Sequence, residues 1–433
     1  MSTNVDSYLE RLFPITRSIT GEGNRETLNI LDEITPLKIK SIPSNTEVFD
    51  WTVPPEWSVR EAWIKDSKGK TLVDYKDCNI HLMSYSTPVE QAVDFDELSD
   101  HLHYLEDKPT AIPYRTSYYK RDWGFCMTHD QYSSLDRDDT YSVFIDSNFN
   151  DRGELIYGEA FIKGQTDEEI LISSYMCHPS LANDNLSGIV LSCLLFKKLS
   201  ELKNTRYSYR LLILPETIGP IAWLASEKDH ENVVAGFVVS CVAGPGELGY
   251  KETYLGDHFL DKAVKYALHD KTYIHYGFEP IGSDERQYSS PKFRIPIGTI
   301  TKSKYYEYEE YHTSLDNLNF ISSSYLEDTL VVYLKAIHYL EHNKQYSRKF
   351  DECEFRLSKL GDLYPSVGGT ISQPTITKKQ HANNKKRLLD CISWLMFACD
   401  GENSLFDVQE MSKLSMDDII DAAKILEGKG ILL

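Results

Sequence analysis

Residues 173–188 carry the side chains best suited to chemistry in this sequence. They follow the short apolar run 169–172, which is typical of a buried strand, and precede apolar residues at helical spacing over 189–199. A loop between a strand and a helix lies at the carboxyl end of the strand, where open α/β sheets bind ligands. The loop contains His178 and Asp184, and imidazole and carboxylate groups are both zinc ligands. The alternative interpretation is that Asp184 caps the helix and His178 is a polar strand end.

Three later strand ends carry further candidates. An acid that follows an apolar strand, as Glu216 does, can ligate a metal or act as a general base for a water molecule. Its structural alternative is an acid favoured by the dipole at a helix N-terminus. The candidates at these strand ends are Glu216, Cys241 and His312, and the cluster 282–288, which lacks helical periodicity, adds Asp284 and Arg286.

Two other groups lie outside those strand ends. The aromatic segment 118–125 has the glycine and polar neighbours of a pocket wall, which makes Tyr118 and Trp123 candidates for substrate binding. Arg17 and Arg25 flank a glycine-rich turn, and we interpret them as solvated surface charge.

Length, charge and cysteine usage limit the class of protein. A chain of 433 residues is too long for one ordinary core and predicts two or three domains. No apolar run reaches membrane-spanning length and no signal pattern is visible, so we expect a cytoplasmic protein without a membrane partner. A net charge of −20 argues against nucleic acid as a partner, because phosphate binding needs clustered Lys and Arg. The 8 cysteines show no CxxC spacing, which indicates reduced thiols.

Strand and helix patterns alternate from residue 168 to about residue 345. This alternation predicts an α/β fold with a doubly wound, mostly parallel sheet and flanking helices. The predicted strands are 169–175, 209–214, 236–242 and 294–301, and the predicted helices are 186–199, 221–225, 259–269 and 323–342.

We divide the chain into four parts. Residues 1–41 are the N-terminal helical part of the α/β domain, 42–114 an inserted β-rich domain with a hairpin pattern, and 115–370 the α/β domain itself. A polar linker at 368–384 leads to a winged-helix-like domain at 380–433. That last part holds 6 Lys plus Arg against 9 Asp plus Glu, so we favour packing or homo-oligomerisation over DNA binding as its role.

Taken in order, the motifs resemble a known family. Histidine followed by Asn-Asp-Asn-x-Ser-Gly, then Pro-Glu-x-x-Gly, Ser-Asp-x-x-x-Tyr and Tyr-His-Thr-x-x-Asp are similar to those of the co-catalytic zinc aminopeptidases. The likeness is greatest to bacterial aminopeptidase-like proteins associated with polysaccharide biosynthesis, which carry a β-rich insert and a C-terminal winged helix. The segments 13–21, 50–54, 112–114 and 123–126 also resemble that subgroup, so the resemblance extends over nearly the whole chain.

The resemblance implies roles for four residues. His178 and His312 match histidines that each ligate one zinc ion, and Asp184 matches the carboxylate that bridges two ions. Glu216 matches the general base that takes a proton from water. The implied function is a zinc-dependent hydrolase of aminopeptidase type, acting on a small peptide or an amino-acid amide.

The sequence departs from the family pattern at two ligand positions. Thr217 occupies the place of an acid after the base, and a distal aspartate ligand falls near Cys241. Three interpretations stay open: the Cys241 thiolate completes one site, a single zinc ion lies between the remaining ligands with one position for water, or the site is degenerate. We favour one catalytic zinc ion over two.

Three more roles complete the hypothesis. Asp284 would orient a histidine, and Tyr311 or Arg286 would stabilise developing negative charge on the substrate. Two alternatives use the same fold: a catalytically weakened metabolite-binding or regulatory protein, and an amide cyclase or transferase.

Overall fold

The computed structural model describes residues 5–226, 229–353, 356 and 376–433, with the backbone alone over 376–386. Its strands are β1 (Lys38–Pro43), β2 (Glu47–Val48), β3 (Trp51–Thr52), β4 (Glu56–Lys65), β5 (Thr71–Asp74), β6 (Val89–Asp94), β7 (Leu102–His103), β8 (Phe125–Cys126), β9 (Thr140–Asn150), β10 (Glu154–Ile162), β11 (Glu169–Tyr175), β12 (Ser208–Leu214), β13 (Val233–Val238), β14 (Leu248–Lys251), β15 (Tyr273–Tyr276), β16 (Ile297–Lys302), β17 (Gln345–Ser347) and β18 (Asp400–Ser404). Its α-helices are α1 (Val5–Leu12), α2 (Glu22–Asp32), α3 (Phe95–Ser99), α4 (His129–Ser133), α5 (Gly188–Ser200), α6 (Ile218–Ser226), α7 (Phe259–Ala267), α8 (Glu285–Tyr288), α9 (Ser323–His342), α10 (Ile376–Ala398), α11 (Leu405–Ser412) and α12 (Met416–Gly428).

The chain forms two compact units, one of residues 1–261 with 270–334 and the other of 262–269 with 335–433. The first unit is built on an eight-stranded sheet in the order β1-β10-β12-β11-β13-β16-β14-β15. Its central strands β12, β11, β13 and β16 are parallel, which confirms the predicted α/β fold class. Every residue of β11 and β12 is buried, as expected of parallel strands covered on both faces.

The parallel direction of these four strands decides where the site lies. Their carboxyl ends meet at one edge of the sheet, so the loops that follow Tyr175, Leu214, Val238 and Lys302 are brought together there. Those loops carry the residues singled out by the sequence.

A second sheet in the same unit has the order β5-β4-β9-β6. The boundary predicted for the β-rich part at residue 114 is too early, because β9 supplies a central strand from residues 140–150. Pairing between strands distant in sequence leaves no local signal. The buried side chains of this sheet and of the main sheet form one hydrophobic cluster that includes Trp57, Val143 and Leu212, so the β-rich part shares its core with the α/β part.

The second unit contains α10, α11, α12 and the antiparallel pair β17–β18. Helix α10 begins at Ile376, inside the predicted linker, while residues 368–375 lie outside the described residues. The predicted terminal strand 430–433 contributes a single bridge, from Leu432 to Arg348, in the described part of the unit. The winged-helix and oligomerisation assignments stay predictions. Within the described residues, no helix combines the length and apolarity that a membrane crossing requires.

Candidate functional site

Three side chains from the loops after two strands, β11 and β16, converge at the edge of the main sheet. His178, Asp184 and His312 each place one ligand atom within 4.8 Å of the others. Nε2 of His312 lies 2.9 Å from Oδ2 of Asp184, and Nε2 of His178 lies 4.0 Å from the same oxygen. Oδ2 of Asp184 and Nε2 of His312 are buried and lack a hydrogen-bond partner of acceptable geometry in the described part of the chain. Potential metal-ligand atoms therefore converge here without hydrogen-bonding to one another.

The Asp184 carboxylate is held from one side. Asp316 accepts hydrogen bonds from the backbone N–H groups of Asn183 at 2.7 Å and of Asp184 at 3.0 Å. The Tyr175 hydroxyl donates to Oδ1 of Asp184. One carboxylate oxygen is thus engaged, which leaves Oδ2 to face the two histidines.

The rest of the Asn-Asp-Asn-x-Ser-Gly motif ties this loop to the end of β13. Asn185 donates to the backbone oxygens of Tyr175 at 3.1 Å and Val239 at 3.2 Å, and its Oδ1 accepts from the Cys241 N–H at 3.3 Å. A Cβ on Gly188 would lie 2.1 Å from Oδ1 of Asn185, so glycine is required at this close approach. The motif therefore fixes the backbone on which Asp184 is mounted.

The protonation states suit a cation. Burial lowers the pKa of His178 to about 4, so its ring is neutral at pH 7 and a nitrogen lone pair is available. Burial alone would raise the pKa of Asp184, but His178, His312 and the Tyr175 hydroxyl together lower it to about 2. The neutral imidazole of His178 and the ionised carboxylate of Asp184, together with the imidazole of His312, are a donor set for zinc.

Glu216 lies beside this cluster. The Ser283 hydroxyl donates to Oε1 of Glu216 at 2.9 Å, and Oε2 lies 4.0 Å from Nε2 of His178. Burial and the nearby Asp184 charge raise the pKa of Glu216 to about 7. A carboxylate with this pKa can both accept and return a proton near neutral pH.

Arg17 contacts the backbone of His178, and Tyr311 contacts the ring of His312. Arg17 is 1% exposed and donates from Nε to the backbone oxygen of His178 at 3.0 Å. Our interpretation of Arg17 as solvated surface charge is therefore wrong: the side chain turns inward, and burial lowers its pKa to about 10. Arg25 pairs with Glu56 instead. The Tyr311 ring stacks on His312 with centroids 4.0 Å apart.

The loops of the site contain strained backbone. Left-handed φ angles occur at Ser180 (42°), Thr217 (64°), Cys241 (54°) and His312 (53°), none of which is glycine. Each such residue costs of order 1–3 kcal/mol and persists only where surrounding contacts hold it. The loop ends are therefore shaped for the placement of side chains at some expense of local stability.

Cys241 does not join the ligand cluster. Its Sγ accepts a hydrogen bond from Ser240 at 3.4 Å, and the thiol grouped with His178 and Glu216 is that of Cys177. The geometry of the described residues does not support the role of Cys241 as a zinc ligand, because its thiol lies outside both groups of converging ligand atoms. Cys177 accepts from the Glu216 N–H at 3.3 Å.

Two other expectations also change. Oδ1 of Asp284 accepts the Thr217 N–H at 2.7 Å, so Asp284 supports the loop of Glu216 and does not orient a histidine. Trp123 stacks on His101, with centroids 3.6 Å apart, and packs against the core of the second sheet. Trp123 is therefore a packing residue, and aromatic density alone did not distinguish it from a pocket wall.

Tyr118 and Arg286 remain beside the site. Nη2 of Arg286 donates to Oγ1 of Thr217 at 3.3 Å. Tyr118 is 51% exposed, and burial of its hydroxyl and the Glu216 charge raise its pKa, while Arg286 opposes the increase. The two side chains thus lie near Glu216, and Tyr118 reaches solvent.

Sequence reasoning missed four residues of the site: Arg17, Tyr175, Cys177 and Asp316. Asp316 is the last residue of the Tyr-His-Thr-x-x-Asp motif and Arg17 lies in the segment 13–21, so the motifs contained a signal for both. Tyr175 is the last residue of a buried strand and carries no such signal.

Comparison with known proteins gives consistent results. The model of the family described as "Domain of unknown function (DUF4910)" matches residues 6–343. A Clostridium acetobutylicum protein, provisionally named as a polysaccharide biosynthesis protein with an aminopeptidase-like domain, is 43% identical over 423 residues, 97% of this chain and 94% of its own. A crystal structure from the same organism, provisionally named a peptidase, has a TM-score of 0.88 at 40% identity and covers 99% of this chain and 95% of its own.

More distant solved structures share the fold. The zinc aminopeptidase BSAP from Bacillus subtilis has a TM-score of 0.54 at 13% identity, covering 78% of this chain and 94% of its own. A peptidase M28 precursor from Shewanella amazonensis has the same TM-score and identity, covering 78% of this chain and 92% of its own. The resemblance to the zinc-aminopeptidase fold that the motifs predicted is confirmed.

Proposed function

Because the chain belongs to the family described as "Domain of unknown function (DUF4910)" and has the fold of the zinc aminopeptidases, we propose that it is a zinc-dependent hydrolase of small peptides or amides. The observation that carries the proposal is the convergence of His178, Asp184 and His312 beside Glu216. The provisional peptidase name of the Clostridium structure supports the same class.

The three converging residues fit a single zinc ion. Two imidazoles and one carboxylate would leave the fourth tetrahedral position open, as catalytic sites require. Bound there, zinc would supply Lewis acidity that polarises a carbonyl and acidifies water. One ion is favoured because Thr217 and Cys241 stand where further carboxylate ligands are expected, and Cys241 lies outside the ligand groups.

Glu216 is the proposed general base. Hydrolysis forms a bond between the oxygen of water and the carbonyl carbon and breaks the C–N bond, while one proton of the water moves to the leaving nitrogen. Ser283 fixes Oε1 of Glu216, so Oε2, on the side of His178, is free to accept that proton and pass it on. Tyr311, stacked on His312, would hold the imidazole plane and stabilise negative charge on the substrate oxygen.

Metal analysis and activity together test this function. Apoprotein reconstituted with zinc and dialysed should retain about one equivalent by mass spectrometry. It should hydrolyse members of a panel of dipeptides and amino-acid amides, lose that activity with a chelator and regain it with zinc. Retention of less than about a tenth of an equivalent would refute the metal site, because sites of this kind bind zinc tightly. Zinc retention without hydrolysis of any panel member would favour a metabolite-binding protein, and a cyclised product would favour a cyclase.

Arg17→Met tests the support behind His178. The change preserves apolar volume but removes the N–H donors to the backbone oxygens of His178 and Leu12. We expect zinc affinity to fall about 10–100-fold, the usual cost of removing a group that orients a ligand. Competition with a chromogenic chelator measures it. Arg25→Met, which removes a cation paired with Glu56, is the control and should bind zinc normally. Unchanged affinity in a folded Arg17→Met protein would show that Arg17 has no role in metal binding.

A further inference from the structure

Arg286 presents an uncommitted guanidinium group next to the proposed general base. Of its five N–H donors, one is donated to Oγ1 of Thr217 at 3.3 Å. The Nε atom is buried and has no hydrogen-bond partner in the described part of the chain, and Arg286 interacts with the nearby Glu216 and Asp284 through charge. A buried donor left unpaired costs free energy. A cation in this state is suited to a partner that arrives from outside the chain.

Arg286 lies on the same side of the site as Glu216. Ser283 and Arg286 belong to one short segment around the start of α8, and the first donates to Glu216 while the second donates to Thr217. The Tyr118 hydroxyl lies near both charges, and Arg286 itself is partly exposed to solvent. A substrate group can therefore reach the guanidinium while the scissile bond lies beside Glu216.

The chemistry of guanidinium favours a carboxylate ligand. Its planar donors match the two oxygens of a carboxylate and form paired, charge-assisted hydrogen bonds. The chain has a net charge of −20, and the two acids near Arg286 each have one oxygen bonded to another group, Oε1 of Glu216 to Ser283 and Oδ1 of Asp284 to the Thr217 N–H. Arg286 interacts with both acids through charge and donates no hydrogen bond to either, so its remaining donors are available to an anionic substrate group.

We propose that Arg286 binds a carboxylate on the leaving-amine side of the substrate, so that the leaving group is an amino acid with a free carboxylate. Dipeptides are the simplest such compounds. We assign Arg286 to the leaving-amine side because Glu216 must deliver its proton to the leaving nitrogen. Arg286 contacts the side chain of Thr217, the residue that follows Glu216. This inference rests on the proposed function and makes it more specific.

Binding to an inactive background tests the inference apart from turnover. Zinc-loaded Glu216→Gln protein is titrated calorimetrically with L-alanyl-L-alanine and with its C-terminal amide, which lacks the carboxylate. We expect the free acid to bind about 10–100-fold more tightly than the amide, the effect of a charge-assisted pair. Adding Arg286→Gln should make the two affinities equal, and Arg286→Lys should restore part of the difference.

The matched control is Arg60→Gln, which removes an 82% exposed arginine paired with Asp146 on the second sheet. It should leave the preference for the acid unchanged, and circular dichroism checks that each variant is folded. Equal affinities before Arg286 is changed, a preference that survives Arg286→Gln, or no binding of either compound at millimolar concentration would each overturn the inference. If the inference fails but the wild type cleaves neutral amides in a zinc-dependent way, the proposed function still stands. If the wild type cleaves no compound but the Glu216→Gln protein prefers the acid, the hydrolase proposal alone is refuted.

Discussion

The Glu216→Gln substitution should lower kcat/KM by about 10²–10⁴-fold, the usual contribution of a positioned general base, and leave the zinc content unchanged. Glutamine has nearly the same shape and its amide oxygen still accepts the hydrogen bond from Ser283, but it cannot take a proton from water. Steady-state kinetics on the best dipeptide of the panel, with zinc determined on the same samples, measures both quantities.

Two further variants separate this role from others. Ser283→Ala removes only the hydrogen bond to Oε1 of Glu216, so we expect a smaller loss of activity than for Glu216→Gln. Glu106→Gln changes an exposed acid in the same way and should have no effect. If Glu216→Gln protein loses zinc together with activity, Glu216 is a ligand; if it retains full activity, Glu216 is not the base.

The loops after the central strands were predictable because their signal is local. An apolar strand followed by a polar motif places His178, and likewise Glu216, at a strand end, and parallel pairing then brings the ends together. The strand β11 was predicted with its observed bounds, and α9 likewise. The roles of Asp284 and Trp123 were not predictable, since each depends on a partner, Thr217 or His101, that sequence pattern does not identify.

Burial of a charged residue is equally hard to foresee. Arg17 looked like surface charge because arginine is rarely buried without an ionic partner, yet it is 1% exposed with backbone oxygens as acceptors. The membership of β9 in the second sheet was missed for a related reason: its place between β4 and β6 is fixed by pairing across the sheet. The burial of Arg17 and the pairing of β9 both depend on contacts between residues distant in sequence, which local periodicity does not reveal.

The Asp184→Asn substitution is expected to abolish measurable hydrolysis through loss of the metal. Asparagine keeps the side-chain shape, and the backbone N–H groups of residues 183 and 184 can still bond to Asp316. The change removes the one charged donor of the cluster, so zinc affinity should fall more than about 100-fold, because loss of an orienting group alone costs 10–100-fold.

Thermal unfolding with and without zinc reports this loss even if no substrate is found. A ligand present at 100 times its Kd stabilises the native state by about 2.7 kcal/mol, so zinc should raise the Tm of the wild type clearly and that of Asp184→Asn protein hardly at all. Asp107→Asn, at an exposed acid, is the control and should respond as the wild type does. An undiminished zinc-induced rise in Tm for Asp184→Asn would mean that the ion binds elsewhere, with Cys177, His178 and Glu216 as the other ligand group in the described residues.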